Sequence, residues 1–555
     1  MIVRAARFFS REVESLHAAA YILGVSALAS SVLALLRDRL FADYFGAGLE
    51  LDIYFAAFRI PDLLFVLVAS LFSAYALIPM LEKRDEAGQF SYIDTIVFGF
   101  GALMVTISVV ACVFLPQMLT LLFPDLMAKG AHELVLMSRI LLLQPFFLGL
   151  SNILAAITQI RRKYFLYALA PIVYNISIIG GLLFFYPFFG TQGLAWGVVA
   201  GSILHALVQF PSALYGGFFR NSMRFGGWET LSKTIALSLP RTLALGVGQI
   251  VQVSLLAFAG ALVPGSIAVF MLAFNLQSVP LAVIGASYSV AAFPTLSRMY
   301  SGGNFTQFIE QVAIAARHIL FWAMPSVALI IILRAHVVRA VLGSGAFDWT
   351  DTRLTAAAFA LFAFSLAAQA LSLLLIRAYY AAGRSYLPLI VSIGSGALAT
   401  GLAFFSVNSY TNSAGRFFLE ALLRVEDVPG TVVLLLPFAY AVGSIASAIS
   451  FVVLFERDFG GFISRVSRVF WESLTASGAG AALAYAVLSL LGGIGPAATL
   501  PAVLTHGAFA GLVGIAGSAI VYWFFGSIEL SETLATLKRR PHTVAPVQSA
   551  EETIT

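Results

Sequence analysis

The sequence predicts an all-α polytopic membrane protein with about 14 transmembrane helices. Only 11% of its 555 residues are Asp, Glu, Lys or Arg, and 60% are apolar, whereas about a quarter of a soluble domain is charged. Apolar runs of the ~20 residues that cross a hydrocarbon core recur along the whole chain. These runs are continuously apolar instead of alternating, which disfavours a transmembrane β-barrel.

Charged residues, glycine and proline divide the chain into fourteen apolar segments. Several of them exceed the length needed to cross a bilayer, which predicts tilt or extension beyond the hydrocarbon. Their approximate limits are 17–36, 53–81, 91–122, 133–159, 164–187, 191–219, 234–262, 266–296, 306–333, 353–379, 386–407, 430–455, 470–492 and 499–526.

The distribution of basic residues predicts the orientation. Lys and Arg concentrate in cytoplasmic loops, and most of the 32 fall on one side if the N-terminus is cytoplasmic and the spans alternate. An odd number of spans would scramble this pattern, so both termini are predicted to be cytoplasmic. The formal charge of +5 therefore reflects membrane orientation, and no nucleic-acid partner is expected.

Two segments six spans apart have similar sequences, which predicts an internal repeat. "AFRIPDLLFVLVASLFSAYALIPML" and "AFNLQSVPLAVIGASYSVAAFPTL" each open with Ala-Phe and close with Pro-x-Leu, and transporters are often built from two related halves. We therefore predict two six-helix lobes related by a pseudo-two-fold axis, plus two C-terminal helices. The predicted parts are an interfacial N-terminus at 1–16, an N-terminal lobe at 17–219, a C-terminal lobe at 220–455, two further spans at 456–526, and a disordered cytoplasmic tail at 527–555.

Two short segments outside the spans are candidates for helices at the membrane surface. Arg4, Arg7 and Arg11 share one helical face near the N-terminus, which suits contact with anionic headgroups. The same arginines also serve as a simple positive-inside signal. "GRFFLEALLRVEDVPG", at 415–430, has the pattern of a short amphipathic helix on the outer surface.

Charge is concentrated at residues 36–64, in and around the second apolar segment. A charge inside hydrocarbon is costly unless it is paired or faces water, so such charges are candidates for function. Arg59 and Asp62 stand three residues apart on one helix face, and Pro61 between them predicts a kink. Two interpretations stay open: a cavity-lining pair that meets an anionic substrate or an ion, or a self-neutralised structural pair.

Further polar residues lie within the apolar segments of the second half. Arg241 follows Pro240 and either faces a central cavity or reaches the inner headgroups. Gln249, Gln252 and Asn275 either line the same cavity as neutral donors or bond between helices. All four are candidate substrate-binding residues.

Signals of catalysis and of metal binding are absent from the sequence. It contains no phosphate-binding loop of the Walker type, no HExxH and no Cys/His cluster of metal-ligand spacing, and Cys112 is its only cysteine. We therefore expect no enzyme activity, no metal and no cofactor, with work supplied by the membrane potential or a monovalent ion. His205, in span six, is interpreted as an interhelical histidine, not a proton relay.

The charged stretch "LRDRLFADYFGAGLELDIYFAAFRIPDLL" resembles the first-to-second-span region of the MurJ/MviN lipid II flippases of the MOP exporter superfamily. Three elements carry the resemblance: Arg-Asp at the end of span one, "FGAG" with a following Asp, and an Ala-Phe-basic-Ile-Pro motif in span two. "LPRTLALGVGQI", "VLGSGAFDWTDT" and "LIRAYYAAGRSYLPL" extend it, so that it covers roughly residues 20–410.

This resemblance implies a flippase of the bacterial cytoplasmic (inner) membrane. Its cargo would be an undecaprenyl-pyrophosphate-linked peptidoglycan precursor, moved outward by alternating access. Arg37 matches a cavity arginine of the family, and Asp38 and Asp52 match acidic partners near the outer gate. Asp62 joins these acids as a candidate gate or ion-coupling residue. Membrane lipids and cell-wall synthesis proteins are the expected partners of a monomer.

The sequence also departs from the family pattern at four positions. Three of them carry arginine in the family, and one carries an acid. The residues found there are Ser31, Phe65, Asn275 and, in place of the acid, Ser70. The resemblance thus implies a retained scaffold and outer gate with a less cationic cavity, in which Arg37, Arg59 and Arg241 are candidate substitutes. A small-molecule antiporter of the same superfamily and a non-transporting cell-wall scaffold remain as alternatives.

Overall fold

The computed structural model describes residues 16–161, 163–215, 217–218, 227–409, 414–495 and 498–538. Within these ranges the chain is helical and contains no β-strand, which confirms the predicted all-α class. The predicted interfacial segment with Arg4, Arg7 and Arg11 lies outside the described residues.

The first half of the chain forms ten helices. A 3-10 turn at Ala69–Phe72 joins the third helix to the fourth, and a π-helical turn at Gly181–Phe185 joins the eighth to the ninth. The helices are α1 (Leu16–Phe45), α2 (Leu49–Ala57), α3 (Arg59–Val68), α4 (Ala74–Glu82), α5 (Glu86–Leu122), α6 (Pro124–Leu141), α7 (Gln144–Ile160), α8 (Tyr164–Gly180), α9 (Tyr186–Phe189) and α10 (Thr191–Tyr215).

The second half forms twelve helices in its described part. A π-helical turn, Leu281–Ala286, interrupts it near its start, and a 3-10 turn, Thr431–Leu434, follows later. The helices are α11 (Trp228–Gly260), α12 (Ser266–Pro280), α13 (Ser287–Ser301), α14 (Phe305–Leu342), α15 (Trp349–Phe364), α16 (Leu366–Ala381), α17 (Tyr386–Ser409), α18 (Ala414–Leu423), α19 (Leu435–Phe459), α20 (Phe462–Leu491), α21 (Leu500–Phe524) and α22 (Ile528–Lys538).

The structure confirms a polytopic arrangement. Among the described residues, 12 helical stretches are long and apolar enough to cross a membrane, and the bent pair of α15 and α16 raises the number to 13. Helix α1 covers the first predicted segment and is not among the 12. The total of fourteen spans, the lobe boundaries and the cytoplasmic placement of both termini stay predictions. "Inner" and "outer" below refer to that predicted orientation.

The second span and its repeat partner are both interrupted. Pro61 lacks an N–H, so the regular helix cannot continue through the preceding turn. Helix α2 ends at Ala57, and the backbone N–H of Phe58 instead donates to the Ala56 carbonyl. The helix is thus interrupted at Phe58, three residues before Pro61, and a kink there stays a prediction. In the partner span, the π-helical turn begins directly after Pro280.

The tenth predicted span is bent, which its sequence did not predict. Helices α15 and α16 meet at an angle of 42°, with Ser365 between them. The Ser365 hydroxyl donates to the Phe362 carbonyl at 2.9 Å and accepts from the Gln369 side chain at 2.9 Å. A serine that bonds back to the preceding turn competes with the regular helix ladder, which bends the helix.

The surface helix predicted at 415–430 is present as α18 in its first part, but it ends at Leu423, and residues 424–430 form turns. Glu420 is buried and accepts hydrogen bonds from Arg416 and from the Thr431 hydroxyl. Phe417 and Phe418 are exposed instead. A helix that buries its carboxylate and exposes its aromatic rings is suited to lie against lipid.

The beginning of the predicted disordered tail is helical, which corrects the prediction for residues 528–538. In α22, Glu529 is 4% exposed, and its carboxylate lies 3.4 Å from Arg317 of α14. The polar composition that predicts disorder begins at Lys538, and the predicted tail began too early, at residue 527. Helix α22 is ordered because Glu529 is buried and pairs with Arg317 of the remote helix α14. Composition alone does not indicate this contact.

The buried core is continuous at the outer end and divided at the inner end. One large cluster of buried apolar side chains includes residues of both halves, from Phe41 to Ala439. Toward the inner end, two clusters are separate: one holds Val68 to Leu231, and the other Ala292 to Val466. The halves share this core at the outer end. Helix α11 also contacts the first half farther inward, where the Tyr92 and Thr234 hydroxyls lie 3.0 Å apart and the Ser70 hydroxyl donates to Thr242 at 3.0 Å.

Candidate functional site

Asp52 joins the two halves by capping a helix of the opposite half. Its side chain is buried at 1% exposure and accepts from the backbone N–H groups of Gly265 at 2.6 Å and Ala268 at 2.7 Å. These groups lie at the start of α12, where helical N–H groups lack partners within the helix and the helix dipole favours an anion. Asp52 thus acts as a helix N-cap supplied from the other half of the chain.

Arg39 makes the complementary contact at the end of another helix. Its guanidinium donates to the carbonyls of Ala340 at 2.7 Å and Val341 at 3.2 Å, in the last turn of α14. The final carbonyls of a helix lack donors, and a cation is favoured there. An acid and a base from the first half therefore cap two helix ends of the second half.

Two further contacts between the halves involve the loop after α1. We call the contacts of Arg39, Asp43, Ala47 and Asp52 with the second half the outer gate. The Ala47 backbone N–H donates to Asp351 at 3.1 Å, and the Ala346 N–H donates to the Asp43 carbonyl at 2.8 Å. Gly265 has a φ of +93°, and a Cβ there would lie 1.9 Å from the Ala47 carbonyl oxygen. Only glycine fits at this position of the outer gate.

Asp38 is shared between the two halves. It accepts from Arg37 at 2.8 and 3.0 Å through one carboxylate oxygen, and from the Asn275 amide at 3.0 Å through the other. Arg37 also donates to Asn175 at 3.3 Å. The Arg37 side chain keeps 21% exposure, so it remains accessible to a ligand between the halves.

Arg59 and Asp62 form a second pair beside this group. Their side chains are 3.4 Å apart, with 5% exposure for Arg59 and 29% for Asp62. Arg59 also donates to the Phe55 carbonyl at 2.9 Å. Tyr54 interacts electrostatically with both Arg37 and Asp62, which places the two ion pairs in one cluster. The burial of Arg59 favours the structural interpretation for this arginine.

The structure does not bring the remaining candidates into this cluster. Arg241 interacts electrostatically with Tyr380, toward the inner end. Counting 1.5 Å per helical residue, it lies roughly 15 Å farther from the outer end than Asn275. Gln252 contacts the sulfur of Met271 at 3.9 Å, and Gln249 is partly buried on the same helix.

The interpretation of His205 as an interhelical histidine is confirmed. Its Nδ1 lies 2.7 Å from the Ser151 hydroxyl of α7, and Gln209 donates to the same hydroxyl at 2.5 Å. This network ties α7 to α10 inside the first half. It lies apart from the outer gate.

Sequence reasoning missed Arg39, Asp351 and Gly265 as functional candidates. No sequence pattern marks Arg39 as functional, although it directly follows the Arg-Asp pair that carries the resemblance. Its partners are backbone carbonyls about 300 positions away in the chain, and no side-chain pattern marks them. Gly265 is a glycine between two predicted spans, which indicates a turn. Its close approach to Ala47 explains why the residue has to be glycine.

The fold and the site together define a class of protein. Two helical halves share a buried core and hold paired charges where they meet, which fits a polytopic membrane transporter. The family described as "Lipid II flippase MurJ" matches residues 41–494 of the chain. The chain therefore belongs to the MurJ family, and it is a multi-pass protein of the bacterial inner membrane.

Curated relatives support this assignment over much of the chain. The chain is 27% identical to "Probable lipid II flippase MurJ" of Thermotoga maritima over 440 residues, which cover 73% of this chain and 88% of the relative. It is 25% identical to "Lipid II flippase MurJ" of Burkholderia cenocepacia over 384 residues, with coverages of 66% and 73%.

Solved structures share the fold. "Lipid II flippase MurJ, inward closed conformation" superposes with a TM-score of 0.71 at 21% identity, covering 91% of this chain and 99% of that one. A multidrug resistance MATE family transporter of the MOP superfamily, in an inward-facing conformation, gives a TM-score of 0.62 at 17% identity, with coverages of 79% and 95%. Both similarities show the fold alone.

Proposed function

We propose that this protein is a flippase that moves a lipid-linked peptidoglycan precursor from the inner to the outer leaflet by alternating access. The cargo would be lipid II-like, with an undecaprenyl-pyrophosphate link. The observation that carries the proposal is the position of Asp38, which holds Arg37 of one half and Asn275 of the other. An anion that binds Arg37 would act directly on a contact that keeps the halves together.

The paired charges suggest how cargo binding is linked to gate opening. Arg37 and Asp38 neutralise each other, as do Arg59 and Asp62, so a pyrophosphate has to displace Asp38 from Arg37. A guanidinium binds phosphate oxygens through a planar fork of donors, which makes this exchange favourable. Asp38 would then be a buried charge without its cation, which is costly. Its release from Asn275 would weaken the closed outer gate.

A small-molecule antiporter of the same superfamily is the second candidate. A cavity of about 360 Å³ within the second half favours it, because the lining is neutral and carries hydroxyl and amide groups. Gln369, Ser372, Tyr440 and Ser444 are among the residues that line it. Such a surface suits an uncharged ligand better than a pyrophosphate.

Several further properties belong to this proposal. The protein would act as a transporter without enzymatic chemistry and without a resident cofactor. The membrane potential or a monovalent ion would supply the work, and Asp38, Asp52 and Asp62 are the acids through which an ion would act. The protein would work as a monomer, with cell-wall synthesis proteins as neighbours. If the protein does not transport the cargo, a non-transporting cell-wall scaffold is the remaining interpretation.

Complementation tests this function. A bacterium depleted of its own lipid II flippase is expected to survive with this protein and to die with Arg37→Ala at equal membrane abundance. Arg384→Ala is the matched control, because Arg384 pairs with Asp458 at 2.6 Å at the inner surface, away from the cluster. Death with the abundant natural sequence would overturn the flippase assignment.

A further inference from the structure

A second cavity, of about 530 Å³, opens at the outer face, away from the outer gate. It lies between the outer ends of α14 and α20, the start of α15, and the surface helix α18. We call it the arginine pocket. Its polar lining comprises Arg334, His336, Arg353, Arg424, Tyr485 and Ser489.

The arginine pocket carries an excess of positive charge. Arg353 is neutralised by Asp427 at 2.6 Å, and this hydrogen bond lowers the pKa of the Asp427 carboxyl, which keeps it ionised at neutral pH. Arg334 instead donates to the backbone carbonyls of Ile331 and Leu423, at 2.8 and 3.2 Å. No carboxylate pairs with Arg334 anywhere in the described part of the chain.

Arg424 is the second arginine of the pocket for which the described residues supply no acidic partner. It donates to the Tyr485 hydroxyl at 3.1 Å and adopts a φ of +58°. This left-handed conformation belongs to the C-terminal cap of α18, where the Val425 N–H donates to the Glu420 carbonyl at 2.9 Å. The exposed guanidinium of Arg424 therefore has donors available for a ligand.

His336 supplies an independent sign of a missing ligand. Its side chain lines the arginine pocket and is 7% exposed. Neither ring nitrogen has a hydrogen-bond partner within the described ranges. Buried polar groups are nearly always paired, so a ligand with hydrogen-bonding oxygens would satisfy a group that the protein leaves unsatisfied.

The surroundings of the pocket indicate a lipid as the ligand. Phe418 and Leu422 of α18 are 65% and 61% exposed, and Leu490 at the end of α20 is 86% exposed. Apolar side chains beside a basic site provide one surface for acyl chains and another for a charged headgroup. Phosphate oxygens match the donor geometry of Arg334 and Arg424.

We propose that the arginine pocket binds the phosphate of an anionic lipid headgroup in the outer leaflet. This site is separate from the cluster of Arg37 and Asp38, so the proposal does not depend on the identity of the transported cargo. A lipid bound there would brace α18 against the outer ends of α14 and α20.

Binding to the purified full-length protein tests the proposal. Short-chain phosphatidylglycerol is expected to raise Tm and to remain bound in native mass spectrometry, whereas phosphatidylcholine and inorganic phosphate at equal concentration are not. Arg424→Gln should weaken phosphatidylglycerol binding about tenfold, the effect of losing one charge-assisted hydrogen bond. Arg384→Gln removes the same charge at the inner surface and should leave the affinity unchanged.

A second variant guards against misfolding. Arg424→Lys keeps the charge, so it should bind more tightly than Arg424→Gln, while all variants keep their Tm in the absence of lipid. Equal affinities of Arg424→Gln and Arg384→Gln would overturn the site. Equal responses to phosphatidylglycerol and inorganic phosphate would show a free-anion site and overturn the lipid assignment. An equal response to phosphatidylcholine would show that the charge plays no part.

Discussion

The two halves of the molecule contribute different chemistry to the outer gate. The first half supplies charged side chains, Arg39 and Asp52, whereas the second half supplies mainly backbone groups at the ends of α12 and α14. The contact of Asp351 with Ala47 is the reverse case, because there the second half supplies the side chain and the first half supplies the backbone N–H. The gate therefore depends on side-chain identity on one side and on helix position on the other.

This difference changes the meaning of the residues that depart from the family pattern. At Asn275 the resemblance implies an arginine, and the amide found there donates to Asp38 across the halves. At Ser70 the resemblance implies an acid, and the serine hydroxyl donates to Thr242 at 3.0 Å. Both side chains are neutral donors that contact the other half, so these two contacts between the halves do not require a charged side chain at residue 70 or residue 275.

The largest expected effect is at a backbone position of the second half. Gly265→Ala should abolish the closed outer gate, since its Cβ would lie 1.9 Å from the Ala47 carbonyl and its φ is +93°. A Ser266→Cys reporter in a Cys112→Ala background measures this, because Ser266 is buried. An impermeant maleimide should label the reporter slowly in the parent and rapidly in the variant.

Gly303→Ala is the matched control for Gly265→Ala. Gly303 also has a positive φ, of +75°, but a Cβ there would meet nothing within 4 Å. This control carries the same kind of backbone strain without the collision. If both variants label the reporter at the same rate, close approach of the halves at Gly265 is not what closes the gate.

The next effect tests the side chains of the first half. Asp52→Ala leaves two buried N–H groups of α12 without an acceptor, which should cost the closed gate about 2 kcal/mol. The maleimide labelling rate should then rise roughly 30-fold, at 1.4 kcal/mol per factor of ten. Asp85→Ala is the control, because Asp85 caps α5 at an exposed inner position. Unchanged labelling in Asp52→Ala would contradict the capping role.

Asn275→Ala should have a smaller effect, because it removes one neutral donor from Asp38. The expected loss is about 1 kcal/mol of closed-state stability, and the labelling rate should rise about fivefold. Asn275→Arg, which introduces the family residue, should instead keep the gate closed and slow the labelling. A faster rate in both variants would show that Asp38 does not hold the halves together through this residue.

The smallest effect is expected at Arg39. Arg39→Gln removes the charge that caps α14, a contribution of about 0.5 to 1 kcal/mol at a partly exposed helix end. Arg39→Lys keeps the charge and should therefore lose only part of this stabilising contribution. Labelling rates should therefore rank parent, Arg39→Lys and Arg39→Gln in ascending order, and they should converge at high salt because partly exposed charges are screened. No difference between the two variants would exclude an electrostatic role.

Much of the architecture could be predicted from local sequence. Each apolar segment is helical over most of its described length, as one helix or as consecutive helices, because the hydrophobicity of about 20 consecutive residues is a local property. Pro61 predicted an interruption, and α18 was predicted from its amphipathic pattern. The candidate gate acids Asp38 and Asp52 entered through a resemblance, and the structure places both at contacts between the halves.

The sequence by itself determined the class of protein, the approximate limits of its spans and the crowding of charge near the outer end. Only the tertiary structure decided which helix end meets Arg39, which amides meet Asp52, and that Arg241 lies apart from the cluster. The physical reason is that backbone N–H and C=O groups are the same in every residue. Which of them lack partners, and which remote side chain reaches them, depends on how the helices pack.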